Sequence, residues 1–457
     1  MQIRNRLELI ENGKTRIIQK ARSIALQSLE YALIAADPKR LLNSKMRIEN
    51  SSLHVGDYTF DLAKFKHVYV VGGGKAGGAM AQAVEEILGN RITAGIVNVP
   101  YGSKPKTSIV ELNEASHPVP DQAGLEGTRR IMALAELAGA DDLMICLTSG
   151  GGSSLNPLPR EGITLEDKQS LTKSLLKSGA PINELNIVRK HLSAFKGGWL
   201  ARKAYPALLV NLVLSDVVGD QLDAIASGPT VPDPSTFGDA QKVLEKYGLW
   251  LDASVSVRTI LSEGAEGILE ETPKAANPVF AKVYNVVIGN NRTASQAAAE
   301  CLKSEGLKTV HFDDPLVGEA RQIGRALAKF ASNISVCGFS LPKPLAIVAG
   351  GETTVTVKGN GFGGRNQELS LSAAMDLEDS ETCVIASLST DGVDGPTDAA
   401  GAIVDGFTFQ RAVQMGLDPE KFLAENDSYH FFSKLGDVII TGATGTNVND
   451  ISVIVVL

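Results

Sequence analysis

The sequence predicts an α/β protein of two domains, the first with a mostly parallel sheet and the second with a mixed one. Three observations carry this. A chain of 457 residues exceeds what one ordinary hydrophobic core organises. From His67 onward, a short aliphatic run, a glycine-rich or acidic turn and an amphipathic helix follow one another repeatedly. That is the pattern of parallel strands with both faces covered. In the second half, Thr353-Thr354-Val355-Thr356-Val357 alternates polar and β-branched residues, as a strand with one solvated face does.

Taken in order, residues 14–37 are expected to form a helix. Ile17, Ile18, Ala21, Ile24, Ala25 and Leu29 fall close to the 3.6-residue period, and Asp37-Pro38 ends it. Strands are expected at 67–71, 93–99, 143–147 and 207–214, with a helical region at about 164–202 before the last. Gly228, Pro229, Pro232 and Pro234 mark a loop between Ala226 and Gly238. The domain boundary is placed just after it, giving domains 1–238 and 239–457, with helix 14–37 free to pack on the second. Strands near 283–289, 345–349, 353–358, 383–389, 438–442 and 451–456 build that second domain.

Composition excludes several classes. A net charge of −8 without a basic stripe argues against a general nucleic-acid binder. The first twenty residues lack the apolar core of a signal peptide. The longest apolar run, Ala207 to Leu214, is broken by Asn211 and far too short to span a bilayer. Cys146, Cys301, Cys337 and Cys383 lie far apart without a Cys-x-x-Cys pair, which suits core packing in a reducing compartment. A cytosolic protein is expected.

Gly72-Gly73-Gly74-Lys75-Ala76-Gly77 formally matches G-x-G-x-x-G between a strand and a helix, a context for an anion at the helix start. A dinucleotide fingerprint also needs an acid about twenty residues on for the ribose, and none occurs between Ile87 and Val110. Lys75 inside the loop suits phosphate or carboxylate better; a tight turn with a solvated lysine is the competing reading. Strand 143–147 runs into Thr148-Ser149-Gly150-Gly151-Gly152-Ser153-Ser154, whose backbone N–H groups can converge on an anion. Strand 207–214 ends in Ser215-Asp216, with Asp220 and Asp223 behind it. Donors beside carboxylates suit phosphate and magnesium.

The second half repeats the theme. Gly350-Gly351-Glu352-Thr353-Thr354 follows a strand, and the run from Gly359 to Gly364 delivers Arg365 to a helix start, where a cation is disfavoured unless an anion accompanies it. Ser389-Thr390-Asp391-Gly392-Val393-Asp394-Gly395-Pro396 and the run Thr441 to Asn447 add further polar strand ends. H-E-x-x-H, Cys/His metal spacing and G-x-S-x-G are absent from the sequence. His117, in Ser116-His117-Pro118, reads as a turn-bracing residue.

VGGGKAGGAM, LTSGGGSSL, NIVRKHLSAFKGG, LSDVVGD with IASGPT, AGGETTVTVKGNGFGGRNQELSL, STDGVDGPTDAAGA and TGATGTNVNDI, in that order, resemble the glycerate 2-kinase family, whose carboxy-terminal part is the MOFRL domain, here about 345–457. The resemblance implies a Rossmann-like first domain, an active site in the interdomain cleft, and phosphorylation of D-glycerate by ATP and Mg2+ to 2-phosphoglycerate. Lys75, Arg365 and Asp216 match the family's functional lysine, arginine and LSD aspartate. Val218, Gln221 and Ala443 depart from its pattern, and Gln221 removes an acid beside Asp216.

The catalytic residues expected are therefore Lys75 and Arg365, on phosphate or substrate carboxylate, and Asp216, as base or metal ligand. Gly73, Gly74, Ser149, Gly150, Gly151, Ser153, Glu352, Asn366 and Asp391 are expected to bind substrate or nucleotide, with Asp391 as a second metal candidate. Domain closure would exclude water. The expected partner is a small molecule, with no nucleic acid or membrane, and a homodimer is one assembly the sequence allows. Two other readings stand beside the kinase: an NAD(P)H-dependent hydroxypyruvate reductase, and a non-catalytic sugar-acid binding protein.

Overall fold

The computed structural model describes residues 2–336, 343–377 and 380–457. The chain divides into two compact units, Leu41–Ile288 and the combination of Met1–Arg40 with Gly289–Leu457.

Leu41–Ile288 opens with an antiparallel meander of β1 (Met46–Glu49), β2 (Ser52–Val55) and β3 (Tyr58–Asp61). Its main sheet contains β4 (His67–Gly73), β5 (Ala94–Pro100), β6 (Val110–Ala115), β7 (Asp142–Ser149), β8 (Leu208–Leu214) and β9 (Val283–Gly289). Their spatial order is β6-β5-β4-β7-β8-β9, and β4 to β8 run parallel. The order reverses between β4 and β7, the switch point where open α/β sheets bind ligands beyond the strands' carboxyl ends. β7 is buried along its whole length because helices cover both faces, so it reads as a continuous aliphatic run. The helix Gln122–Leu137 places Ile131 and Ala135 against Val71, Ile96 and Met144. A separate apolar cluster joins the helices Leu165–Lys177, Ile182–His191, Phe237–Lys246 and Val255–Ala265 around Leu171, Leu185, Phe237 and Leu261.

The boundary expected after residue 238 falls inside this unit. The proline-rich loop is internal: the two helices that follow it pack on the two that precede β8, and β9 then completes the sheet.

In the other unit, the sheet contains β10 (Lys308–His311), β11 (Leu316–Glu319), β12 (Leu345–Thr354), β13 (Cys383–Ser389), β14 (Gly401–Asp405), β15 (Val438–Ile439) and β16 (Asp450–Val456). The order is β10-β12-β16-β13-β14-β15, with β11 also on β12. β16 runs antiparallel to both neighbours, so the sheet is mixed. The strand expected at 353–358 is instead the last two residues of β12 and a loop. The N–H of Thr356 donates to Glu319 Oε1 at 3.2 Å, and those of Lys358 and Gly359 to Asn426 Oδ1 at 2.8 and 3.0 Å. Side chains there satisfy backbone groups that a ladder would otherwise use.

Helix Arg16–Ala35 belongs to this unit. Arg22, fully buried, pairs with Asp405 at 2.6 Å and Asp437 at 2.7 Å and donates to the carbonyl of Leu9 at 2.9 Å. Cys146, Cys301 and Cys383 are free and buried, and burial pushes the Cys146 and Cys383 thiols up to about 12. Cys337 lies outside the described residues. Among the described residues no helix is long and apolar enough to cross a membrane.

Candidate active site

The pairings Gly73↔Thr148 and Thr148↔Val213 bring the carboxyl ends of β4, β7 and β8 into one row. Lys75, Gly150 and Asp216, each one or two residues past a strand end, therefore share one edge of the sheet. The N–H of Lys75 donates to the carbonyl of Gly150 at 2.8 Å, and that of Ala76 to Ser149 Oγ at 3.1 Å. Gly74, at φ +152°, passes so close to Ser149 that a Cβ there would strike its hydroxyl. Gly151, at φ +78°, lies under two side chains: a Cβ would come 2.9 Å from the imidazole Cδ2 of His117 and 3.2 Å from Lys75 Cγ. The two glycine loops thus form one structure, with Lys75 and His117 over Gly151. No side chain caps the helix Gly77–Leu88, so its first N–H groups remain suited to an anion.

Ser149 and Ser153 differ in what they can give. Ser149 Oγ accepts from Ala76. Ser153 Oγ lies 2.6 Å from Ser227 Oγ, and Ser227 spends its own proton on Asn186 Oδ1 at 3.1 Å. The proton in the serine pair is therefore Ser153's, and only its N–H is left for a ligand.

The positions expected to bind dinucleotide ribose are occupied differently. β5 carries Asn98 near its end, buried, whose amide donates to the carbonyl of Leu155 and to Asn156 Oδ1 at 2.8 and 2.9 Å. It braces the serine loop. Asp223 pairs with Lys190 Nζ at 3.2 Å, and Lys190 also meets Asp233 at 3.4 Å. Sequence reasoning assigned no role to Lys190, Lys196 or Lys168; their membership of the NIVRKHLSAFKGG run or its neighbour, with apolar residues between, was the available signal. A cavity of about 770 Å³ in the same unit, lined by Arg202 and Lys203 among others, contains none of the strand-end residues. Those two cations are paired with Glu270 and Glu136 at 3.6 and 2.6 Å, so the chemistry at the strand ends defines the candidate site.

In the other unit, Gly351↔Asp450 and Ser389↔Asp450 align the ends of β12 and β13 with the start of β16. Arg365 grips Asp450 with two hydrogen bonds, at 2.6 and 2.9 Å, and Glu352 with a third at 2.8 Å. The anion that its place at a helix start demands is thus supplied by the protein itself. Burial opposes its charge, but Asp450 and Glu352 outweigh burial and hold the guanidinium proton more tightly than usual. Asn366 is buried and its amide is spent internally, accepting from Ser387 Oγ at 2.6 Å and donating to Asp394 at 3.2 Å. Those bonds tie it to β13 and to the turn at Asp394. Asp391 Oδ1 accepts from Ser389 Oγ and the Val393 N–H at 2.8 and 3.0 Å, which braces its turn.

Among the described residues no three His, Cys, Asp or Glu side chains cluster as a metal cage. A magnesium ion held by one or two carboxylates, substrate phosphates and water needs none. Asp216, half-buried at a strand end, fits that donor set.

An α/β protein with anion donors converging at a sheet switch point belongs to the broad class of enzymes that handle phosphate or carboxylate substrates. The comparisons narrow this. The family model described as a domain of unknown function, DUF4147, matches residues 24–262, and the MOFRL family model matches 345–450. The D-glycerate 2-kinase of Thermotoga maritima is 48% identical over 84% of this chain and 89% of its own. A crystal structure of glycerate kinase from Thermotoga maritima superposes with a TM-score of 0.83 at 43% identity, covering 95% of this chain and 99% of that one. A protein of Agrobacterium vitis, provisionally named a hydroxypyruvate reductase, is 40% identical over the full length of both chains. The chain belongs to the glycerate 2-kinase family and is an enzyme of that kinase class.

Proposed function

We propose that this enzyme transfers the γ-phosphoryl group of ATP to the C2 hydroxyl of D-glycerate, giving 2-phosphoglycerate, with a Rossmann-like unit supplying the anion site. The observation that carries the reading is Lys75 in a glycine loop at the switch point, joined to a second anion loop at Gly150–Ser153. Phosphoryl transfer asks the protein to position groups and to neutralise charge. Ser149 offers a hydroxyl proton and Gly150, Gly151 and Ser153 offer N–H groups to an anionic oxygen. Lys75 adds mobile positive charge, and Arg365, already aligned by Asp450 and Glu352, offers its remaining N–H bonds to a second anionic group. Asp216 would accept the proton of the attacking hydroxyl or hold the magnesium ion. That ion would screen phosphate charge.

The reductase reading rests on the names of two relatives, both from Agrobacterium vitis. It is opposed by β5 and the loop after it, where a buried Asn98 and two lysines, Lys104 and Lys106, stand instead of a ribose-binding acid. An ADP-release assay across small hydroxy acids, with the product identified by NMR, decides the matter. Activity with D-glycerate should require ATP and a divalent cation and be abolished by EDTA. Lys75→Ala should cost turnover by about 10²–10³-fold, as loss of a preorganised charge stabiliser does. Metal-independent oxidation of NAD(P)H with hydroxypyruvate, at a turnover matching any kinase activity, would overturn the proposal.

A further inference from the structure

Lys196 and Lys168 are buried, at 2% and 7% exposure. Neither has a carboxylate among its hydrogen-bond or ion-pair partners in the described residues, and buried lysines are normally paired. They meet backbone instead. Lys196 Nζ donates to the carbonyls of Ser153 at 2.8 Å and Asn156 at 2.5 Å; Lys168 Nζ donates to Pro157 at 2.8 Å and, at 3.5 Å, to Leu158. One Lys196 bond falls on the helical turn Gly152–Leu155, whose amino end is the anion loop, and the other on Asn156, the residue that ends the turn. The Lys168 bonds fall beyond it.

We infer that Lys196 is a positioning residue for the reaction: from the buried side it fixes the turn that presents the Gly150–Ser153 loop to the anionic substrate group. The inference rests on the reading of that loop given above. Independent contacts show how closely the turn is determined. Ser153 is tied on its other side to Ser227, as described, and Ala226 and Ser227 keep φ values of +51° and +60°. Such a conformation is costly for residues bearing a Cβ and persists only where neighbours enforce it. Gly152 packs directly against Ala226: a Cβ on Gly152 would come within 2.8 Å of Ala226 Cβ. Asn156, the second residue that Lys196 holds, turns its amide to the carbonyl of Gly152 at 3.1 Å, and a Cβ on Gly73 would come within 2.5 Å of the same amide. Both glycine loops therefore rest on a frame whose buried end is Lys196. Burial, then Lys168 and Arg189, push the Lys196 ammonium well below the ordinary lysine value. A neutral amine still has two N–H bonds, one for each carbonyl.

Lys196→Met preserves most of the side-chain volume and removes both donors, and Lys168→Met is its control. Direct titration with ATP and, separately, with D-glycerate reads affinity without turnover, and melting temperature is followed for each protein. Lys196→Met should weaken at least one of the two ligands tenfold or more and raise the matching KM. Lys168→Met should lower the melting temperature while leaving both affinities within about twofold of wild type. Should Lys196→Met not fold, Lys196→Gln, with an NH2 donor on a shorter stem, takes the same measurements. A Lys196 variant that melts lower yet binds both ligands within twofold of wild type would show a merely structural lysine. An inactive wild type that still binds ligand sinks the functional reading and leaves the affinity ratio to decide this one; a wild type that binds neither ligand overturns both.

Discussion

Ser149 and Ser153 sit four residues apart on the same loop and look interchangeable in the sequence. The hydrogen bonds around them separate their roles, since Ser149 accepts from the Ala76 N–H whereas Ser153 gives its proton to Ser227. Ser149→Ala should therefore lower kcat/KM about tenfold or more, by removing a donor to developing or bound charge. Ser153→Ala should lower it less than about threefold. Steady-state kinetics on the two variants check the order, and the reverse order would mean that the assignment of protons is wrong. The sequence could place both serines at a strand end but could not distinguish them, because the partners that do so, Asn186 and Ser227, lie 33 and 74 residues away, as Ser153's own number and the Ser227 contact show. Arg365 teaches the same lesson from the other side. A cation at a helix start was legible as needing an anion, but that Asp450 supplies it depends on a strand pairing 85 residues distant.

At the scale of elements, the helix Arg365–Asp376 begins on Asp394. That carboxylate accepts from the N–H groups of Asn366 and Gln367 at 3.1 and 2.9 Å and from the Gln367 side chain at 3.0 Å. Burial, reinforced by the charge of Asp450 and opposed by those N–H groups, raises its pKa to about 6. A carboxyl whose folded value lies above its unfolded one, about 3.9, binds its proton more tightly when folded. The stability it contributes is complete below about pH 3.9 and is lost as pH rises through 6, on the order of 2–3 kcal/mol in all. Denaturation of wild type and Asp394→Asn between pH 4 and 7 should show the wild type losing ground to the variant across that interval; a difference that does not change with pH would refute it. Long, buried elements were legible in the sequence: β7 and β8 are dominated by aliphatic residues and helix Arg16–Ala35 keeps its period. Short edge elements were not. β6 reads VELNEA, and β10, β11 and β14 hold only four or five residues each, so neither composition nor period marks them.

For the whole molecule, the feature the sequence concealed most is that residues 1–40 and 289–457 build one unit around a chain segment that folds as another. Beside the apolar packing of helix Arg16–Ala35 on the helix Asn291–Ser304, β13 and β16, a buried charge network joins the two pieces. Arg22 meets Asp405 and Asp437, and Arg411 also bonds to Asp437. Burial alone would raise the Asp437 pKa, but Arg22 and Arg411 outweigh it and lower it. Its contribution is therefore present above the ordinary aspartate value and fades as pH falls through the depressed one. Arg22→Met leaves buried Asp405 without its cation and Asp437 with Arg411 alone, and should cost about 3–5 kcal/mol at neutral pH, with the gap to wild type narrowing in acid. Equilibrium denaturation at pH 7 and pH 4 measures it, and a loss under about 1 kcal/mol would show the network to be dispensable. The same connection has a consequence for synthesis. Arg22 leaves the ribosome long before Asp437, 415 residues later, exists to receive it. At about 5–20 residues per second that interval is roughly 20–80 s. During it the segment Leu41–Ile288, continuous in the chain, is made whole, while the buried face of helix Arg16–Ala35 waits first for the helix Asn291–Ser304 and then for β13 and β16. For that interval Arg22 is a charge without its two carboxylates, and the unit closes only when its last strands have been made.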